Sequence, residues 1–303
     1  MDAIVVRDLA RAYGSTQAVR GISFSVAAGE IFALLGPNGA GKTTTVEILE
    51  GYRSRDAGQA RVLGYDPATG GRDYRERIGI VLQSAGFEED FTVRELVRMQ
   101  ASLYPRRHDV DELIDLVELT DKADVRVKVL SGGQRRRLDL ALGLAGAPEL
   151  LFLDEPTTGF DPAARHRAWD LIRRLQELGT TVLLTTHYLE EAQELADRVA
   201  VLRSGRLVAL GTPDDLRAHV PLAATISFRI PPGVAAGELP DLGGRLDVDG
   251  RLARILTHTA VSDTWRLTGW AIQAGVELGE FTVSPPTLEE AYLALTEEAG
   301  HDG

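Results

Sequence analysis

Gly36-Pro37-Asn38-Gly39-Ala40-Gly41-Lys42-Thr43-Thr44 directly follows the apolar run Ile31-Phe32-Ala33-Leu34-Leu35 and leads into a helical pattern over Thr43 to Leu49. A buried strand, a glycine-rich loop and a helix start, in that order, form the setting in which a G-x-x-x-x-G-K-[ST] pattern cradles phosphate. Gly36, Gly39 and Gly41 let the backbone turn tightly enough to aim its N–H groups at phosphate oxygens, and the helix N-terminus adds a positive dipole end. Lys42 is expected to reach the β- and γ-phosphates, and the Thr43 hydroxyl to ligate Mg²⁺. Taken alone, this loop leaves kinases, GTPases, helicases and transport ATPases open.

Working outward, Leu150-Leu151-Phe152-Leu153-Asp154-Glu155 reads as a second buried strand that ends in two carboxylates. Two acids at a strand end are often no more than solvated edge residues. Four apolar residues before them and Pro156-Thr157-Thr158 after them favour a functional pair, with Asp154 holding the metal and Glu155 orienting and deprotonating water. The strand Thr181 to Thr185 follows the helical stretch Ala163 to Leu178, a β-α-β order that implies a parallel pair and α/β architecture. Between these landmarks the chain reads as mainly helical, over Val93 to Leu103, Asp109 to Glu118 and Gln134 to Leu144. Leu130-Ser131-Gly132-Gly133-Gln134 opens the last of these helices and forms a second anion-binding nest in a chain whose phosphate loop does not need one. Its bland alternative is a capped helix with a glycine-rich entry.

These segments together resemble the ABC ATPase family, whose signature motif Leu130 to Gln134 matches. The resemblance extends over residues 4 to 215. It implies that Tyr13 stacks on adenine, that Gln83 touches the metal and senses a membrane partner, and that Gly159-Phe160-Asp161-Pro162 is the loop crossing a dimer interface. Phe160 stands where that family more often has leucine. It further implies that His187 contacts the γ-phosphate. The nucleotide site would then comprise Tyr13, residues Gly36, Pro37, Asn38, Gly39, Ala40, Gly41, Lys42, Thr43 and Thr44, with Ser131, Gly132, Gly133, Gln134 and Asp161 completing it. Catalysis would rest on Glu155, His187 and Gln83, and the metal on Thr43, Gln83 and Asp154. By the same resemblance ATP and Mg²⁺ are the ligands, and two copies, or this chain and a similar ATPase, close head to tail on ATP. Outside that context, a tyrosine after a strand is ordinary packing, Gln83 a strand cap and His187 a polar surface residue.

Composition bounds the remaining choices. The chain has 303 residues, 44% of them hydrophobic and 26% charged, with a net charge of -12. That balance argues against nonspecific grip on nucleic acid or anionic headgroups, which needs basic surface. No apolar run approaches the length of a spanning helix and the N-terminus lacks signal-peptide features, so the expectation is a cytoplasmic chain held on the inner face of the cell membrane by a protein partner. Cysteine is absent, which removes disulfides, thiolate metal sites and cysteine nucleophiles, and the 6 histidines lack ligand spacing. Lysine occurs only at Lys42, Lys122 and Lys128.

The expected fold is an α/β P-loop NTPase core of ABC type, a mixed sheet with helices, over 1–220, with a helical subdomain at about 84–145. A small α+β accessory domain fills 221–303; from Pro221 onward the chain has five arginines, no lysine and twelve acidic residues. The ending Pro286-Thr287-Leu288-Glu289-Glu290-Ala291-Tyr292 is similar to the closing helix of daunorubicin-type drug-resistance ATPases. It implies an ABC-2-type exporter of drugs, lipids or polysaccharides with a separate integral-membrane permease, and no direct contact with nucleic acid. Ser84 to Tyr104, with Phe87, Phe91 and Val93 as apolar contacts, is the expected docking segment. The alternative is a soluble, non-transport ABC ATPase acting on ribosomes or DNA, but such proteins usually join two cores or carry long coiled-coil insertions, and this chain has neither.

Overall fold

The computed structural model describes residues 1–82, 86, 88–218 and 223–298 and divides into two compact units, Met1–Pro213 and Asp214–Gly303. Gln83, Ser84 and Phe87 lie outside the described residues. In the first unit the strands are β1 (Asp2–Tyr13), β2 (Thr16–Ala27), β3 (Ile31–Leu35), β4 (Ala57–Val62), β5 (Ile78–Val81), β6 (Leu150–Asp154), β7 (Thr181–Thr186), β8 (Arg198–Arg203) and β9 (Arg206–Gly211). Its helices are α1 (Lys42–Glu50), α2 (Gly71–Arg75), α3 (Val93–Ser102), α4 (Val110–Leu116), α5 (Gly132–Leu144), α6 (Pro162–Glu177) and α7 (Leu189–Leu195), and α8 (Pro213–Ala218) carries the chain onward.

Six strands form one sheet in the order β5-β6-β7-β3-β8-β9, parallel throughout except for the antiparallel edge β9. All five side chains of β3 and all six of β7 are buried. Such two-sided burial is what continuous apolar runs are for in a parallel sheet. The expected β-α-β pair is direct, since β6 and β7 are neighbours with Leu151 opposite Val182.

The N-terminal strands are longer than the short runs 2–7 and 22–26 read from the sequence. β1 and β2 form a bulged antiparallel pair, and β4 joins on the other side of β1. Bulges shift the period-2 alternation, which hides the full strand from a pattern reading. β4 is invisible for another reason: only Ala60 and Val62 of its six residues are buried. One core cluster joins this sheet to the larger one, with Ile4, Ile22 and Phe24 packed among Phe32, Leu34, Val46 and Phe152, and with Phe24 stacked on Phe32 at 5.4 Å between ring centroids.

Helices start where the sequence supplies caps. The Thr92 hydroxyl accepts from the Glu95 N–H while the Glu95 carboxylate accepts from the Thr92 N–H, and Asp109 accepts from the N–H groups of Asp111 and Glu112. α3, α4 and α5 pack on one another as a helical cluster.

The second unit is a four-stranded antiparallel sheet, β11-β12-β10-β13, from β10 (Ala224–Arg229), β11 (Arg245–Asp249), β12 (Leu252–Thr257) and β13 (Gly279–Ser284). α9 (Ala260–Ala274) packs on it around Ile226, Phe228, Ile255 and Leu267, and α10 (Leu288–Glu298) closes the described chain. β11, β12 and α9 were not legible as elements in the sequence.

Candidate functional site

Sheet register sets the site. Leu35 at the end of β3 lies opposite Thr186 of β7, and Asp154 at the end of β6 lies opposite Thr185. The phosphate loop, the acidic pair and His187 therefore leave neighbouring strands at the same edge, the carboxyl ends where ligands of parallel sheets bind.

The loop is wedged into place. Gly41 has φ 101 at the N-cap of α1, and a Cβ there would stand 2.4 Å from the Ala18 carbonyl oxygen. A Cβ on Gly36 would stand 2.4 Å from the Leu202 carbonyl oxygen. The Gly205 N–H donates to the Ala40 carbonyl at 3.0 Å and the Arg20 N–H to the Gly205 carbonyl at 2.7 Å, so loop, turn and β2 are laced together. Lys42 is buried, and its ammonium donates to the Gly36 carbonyl at 2.6 Å and the Pro37 carbonyl at 3.3 Å. Burial lowers its pKa, and the nearby Glu155 and Asp154 carboxylates act in the opposite direction.

Asp154 accepts a hydrogen bond from the Thr185 hydroxyl. Glu155 adopts φ 45, an uncommon left-handed conformation for a side chain of this kind. Its N–H donates to the Thr185 carbonyl at 3.1 Å and lies at the same distance from the Thr185 hydroxyl. On the side-chain end, Thr158 donates to Glu155 Oε2 at 3.1 Å and His187 Nδ1 lies 3.1 Å from Oε1. Held this way, Glu155 lines the phosphate loop's cavity. Tyr13 carries Arg11 and Arg53 near its ring, 5.0 and 5.2 Å from the centroid, and both arginines are fixed by acids, Asp56 and Glu47.

One cavity of about 640 Å³ is lined by Tyr13, Gln17, Pro37 to Thr44, Asp154, Glu155 and Ser204. Ser131, Gly133, Gln134 and Asp161 line a different cavity of about 420 Å³ beside α5 and α6. Ser131 and Gly132 are exposed at the start of α5. There the Ser131 hydroxyl accepts from the Gln134 N–H and the Gln134 side chain accepts from the Ser131 N–H. Asp161 caps α6 through the Ala164 N–H at 2.8 Å, with Pro162 at the first helical position. Sequence reasoning gives no role to Thr185 or Arg136, since a threonine at a strand end and an arginine inside a helix carry no signal of their own, and it uses Thr158 only as context for the acidic pair.

A glycine-rich loop after β3, a buried lysine and two carboxylates at the end of β6, one strand beyond β7, define a P-loop nucleoside triphosphatase. The comparisons specify which. Residues 19–158 match the family described as ABC transporter, and residues 224–287 match the ABC transporter domain-containing protein-like C-terminal domain. The daunorubicin resistance ATP-binding protein DrrA3 of Streptomyces coeruleorubidus is 39% identical, over 97% of this chain and 96% of its own length. A Nod factor export ATP-binding protein I from Rhizobium sp. (strain N33) is 38% identical over 97% of each. Among solved structures, cbiO1 of Clostridium perfringens, part of an ABC transporter complex, superposes with a TM-score of 0.65 at 29% identity, covering 72% of this chain and 91% of that one. The chain belongs to the ABC transporter family and is one of its ATP-binding, ATP-hydrolysing subunits. Among the described residues no helix is long and apolar enough to cross a membrane.

Proposed function

We propose that this chain powers a separate membrane permease of ABC-2 type, an exporter of drugs, lipids or polysaccharides, by closing with a second copy or a similar ATPase around ATP and Mg²⁺. The observation that carries the reading is the separation of two phosphate-binding elements. Ser131 and Gly133 line a cavity other than the one lined by Lys42 and Glu155 of the same chain. A second chain in head-to-tail symmetry would bring its signature end to this chain's phosphate loop.

Thr43 and Asp154 both line the cavity and carry hard oxygen donors, which suits a cation held by few protein oxygens and by phosphates. Bound there, Mg²⁺ would neutralise charge on the β- and γ-phosphate oxygens. Lys42 would exchange its bonds to loop carbonyls for phosphate oxygens, and Tyr13 would carry the adenine. Glu155 would orient the attacking water and take its proton, with His187 and Thr158 fixing the carboxylate. Residues 1–220, including the helical subdomain at about 84–145, would form the nucleotide-binding domain and 221–303 an accessory one. The relatives named for drug resistance and for Nod factor export support export as the direction, with cargo chosen by the permease and this chain held at the inner membrane face.

The test is Glu155→Gln. Its hydrolysis should fall by at least about a hundredfold, the scale of a positioned acid–base group, while ATP binding persists. That variant, tagged and isolated with ATP from gently solubilised native membranes, should bring down an integral membrane protein. Recovery of ribosomal or DNA-associated proteins instead would refute the transport assignment.

A further inference from the structure

Arg136, five residues after Ser131 on α5, ties two parts of the fold that the sequence separates. Its Nε donates to the Pro156 carbonyl at 3.2 Å, and its Nη2 reaches the Asp154 carbonyl at 3.0 Å and the Glu155 carbonyl at 3.4 Å. Nη1 donates to the Leu82 carbonyl at the end of β5. Its side chain is only 14% exposed, and the nearest carboxylate oxygen, on Asp139, lies 3.8 Å away. The charge is therefore met mainly by backbone carbonyls, three of them consecutive.

The neighbouring arginines behave differently. Arg135 bonds to Glu89 and to the Lys128 carbonyl, and Arg137 to Glu118, all preceding α5 in the chain. Of the three, Arg136 alone crosses to the strand ends. The turn it grips is the one that holds Glu155 at φ 45. A planar fork of donors can hold several carbonyls in fixed directions, whereas an ammonium group cannot hold them in that geometry.

We propose that Arg136 is a positioning residue, coupling the signature end of α5 to the orientation of the Glu155 carboxylate in the same chain. It rests on the reading above, in which Ser131 meets the nucleotide held by the second chain. Contact at Ser131 moves α5 as a rigid element, and Arg136 passes that movement to the backbone on either side of Glu155. Each nucleotide thereby reports to the hydrolytic group of the neighbouring site.

The experiment uses the full-length chain with Arg136→Gln, Arg136→Lys, Glu155→Gln and the double variant Glu155→Gln/Arg136→Gln. ATP turnover, affinity for a fluorescent ATP analogue and the thermal midpoint are measured for each. Arg136→Gln is expected to lose at least about thirtyfold in kcat while analogue affinity stays within about threefold, a split that marks an effect on the reacting state rather than on binding. Arg136→Lys, which keeps the charge and covers the case of a poorly folding glutamine variant, should show an intermediate kcat. In the Glu155→Gln background, Arg136→Gln should cause no further loss, because it acts through the group already removed. Unchanged kcat in Arg136→Gln, or parallel loss of kcat, affinity and thermal midpoint, would overturn the proposal. Wild-type turnover by Glu155→Gln would instead overturn the assignment of the base, and so separates the two failures.

Discussion

Substituting Gly41 by alanine should weaken the fold before any nucleotide is present, and by more than the same change at Gly39. Both glycines have positive φ, +101° and +80°. An L-residue there costs roughly 1–2 kcal/mol in backbone strain. The surroundings differ: a Cβ at Gly39 meets nothing within 4 Å, whereas at Gly41 it meets the Ala18 oxygen at 2.4 Å. The atom it meets belongs to backbone, and the bonds from Arg20 to Gly205 and from Gly205 to Ala40 keep β2 and the loop from parting. Overpacking of this kind adds about 1–3 kcal/mol. At about 2–4 °C per kcal/mol for a domain of this size, Gly39→Ala should melt about 2–8 °C below wild type and Gly41→Ala about 4–20 °C below. Thermal unfolding without nucleotide reads this directly, and titration with a fluorescent ATP analogue should show affinity lowered more than tenfold in Gly41→Ala. Coincident melting curves for the two variants would mean that the loop is not wedged against β2, and the reasoning would fail.

Burial raises the Glu50 pKa to about 8, with the fields of Asp154 and Glu47 adding to the effect. The folded chain thus keeps a proton that the unfolded chain loses, so this group's contribution is full below about pH 4.5 and is lost as pH rises toward 8. Glu50→Gln should therefore gain roughly 2–3 kcal/mol on wild type between pH 6 and pH 8, read as a widening gap in thermal midpoint; a constant gap would contradict it. Thr157→Val should cost about 1–3 kcal/mol, since the Thr157 hydroxyl donates at 2.7 Å to the fully buried Glu191 carboxylate, and equal chemical-denaturation midpoints would refute that.

The parts of the fold that were legible are those in which one short segment carries its own physics. The β3 run announces a strand buried on both faces, and the serine and two glycines at Ser131 to Gly133 announce a helix start. What stayed hidden depends on distant partners. β4 is read as a strand only beside β1, β11 only beside β12, and β12 and α9 make sense only around the small core at Phe228. Glu155 was assigned from its neighbours in sequence, but its left-handed backbone and its contact with His187 come from β7. Arg136 stands in a row of three arginines with nothing local to mark which one turns inward. A guanidinium's reach across a helix to strand ends is a tertiary fact with no local pattern.

Chemistry also separates the residues expected to meet the second nucleotide. A serine hydroxyl has one donor and two acceptor positions. At Ser131 the cap uses an acceptor position, for the Gln134 N–H, and leaves the O–H able to donate to a phosphate oxygen. Gly132 and Gly133 have nothing within 4 Å of a would-be Cβ, so their backbone is open to close approach. Asp161 is different, because an ionised carboxylate only accepts and repels a triphosphate. Within this chain its carboxylate caps α6 at the Ala164 N–H. Its expected place in the assembly is therefore at the seam between chains, meeting donors of the partner rather than phosphate. Asp161→Asn should then leave affinity for a single bound nucleotide within about threefold of wild type while weakening ATP-dependent dimer closure, measured by analytical ultracentrifugation in the Glu155→Gln background. A large loss of nucleotide affinity in the monomer would show instead that Asp161 belongs to the phosphate site.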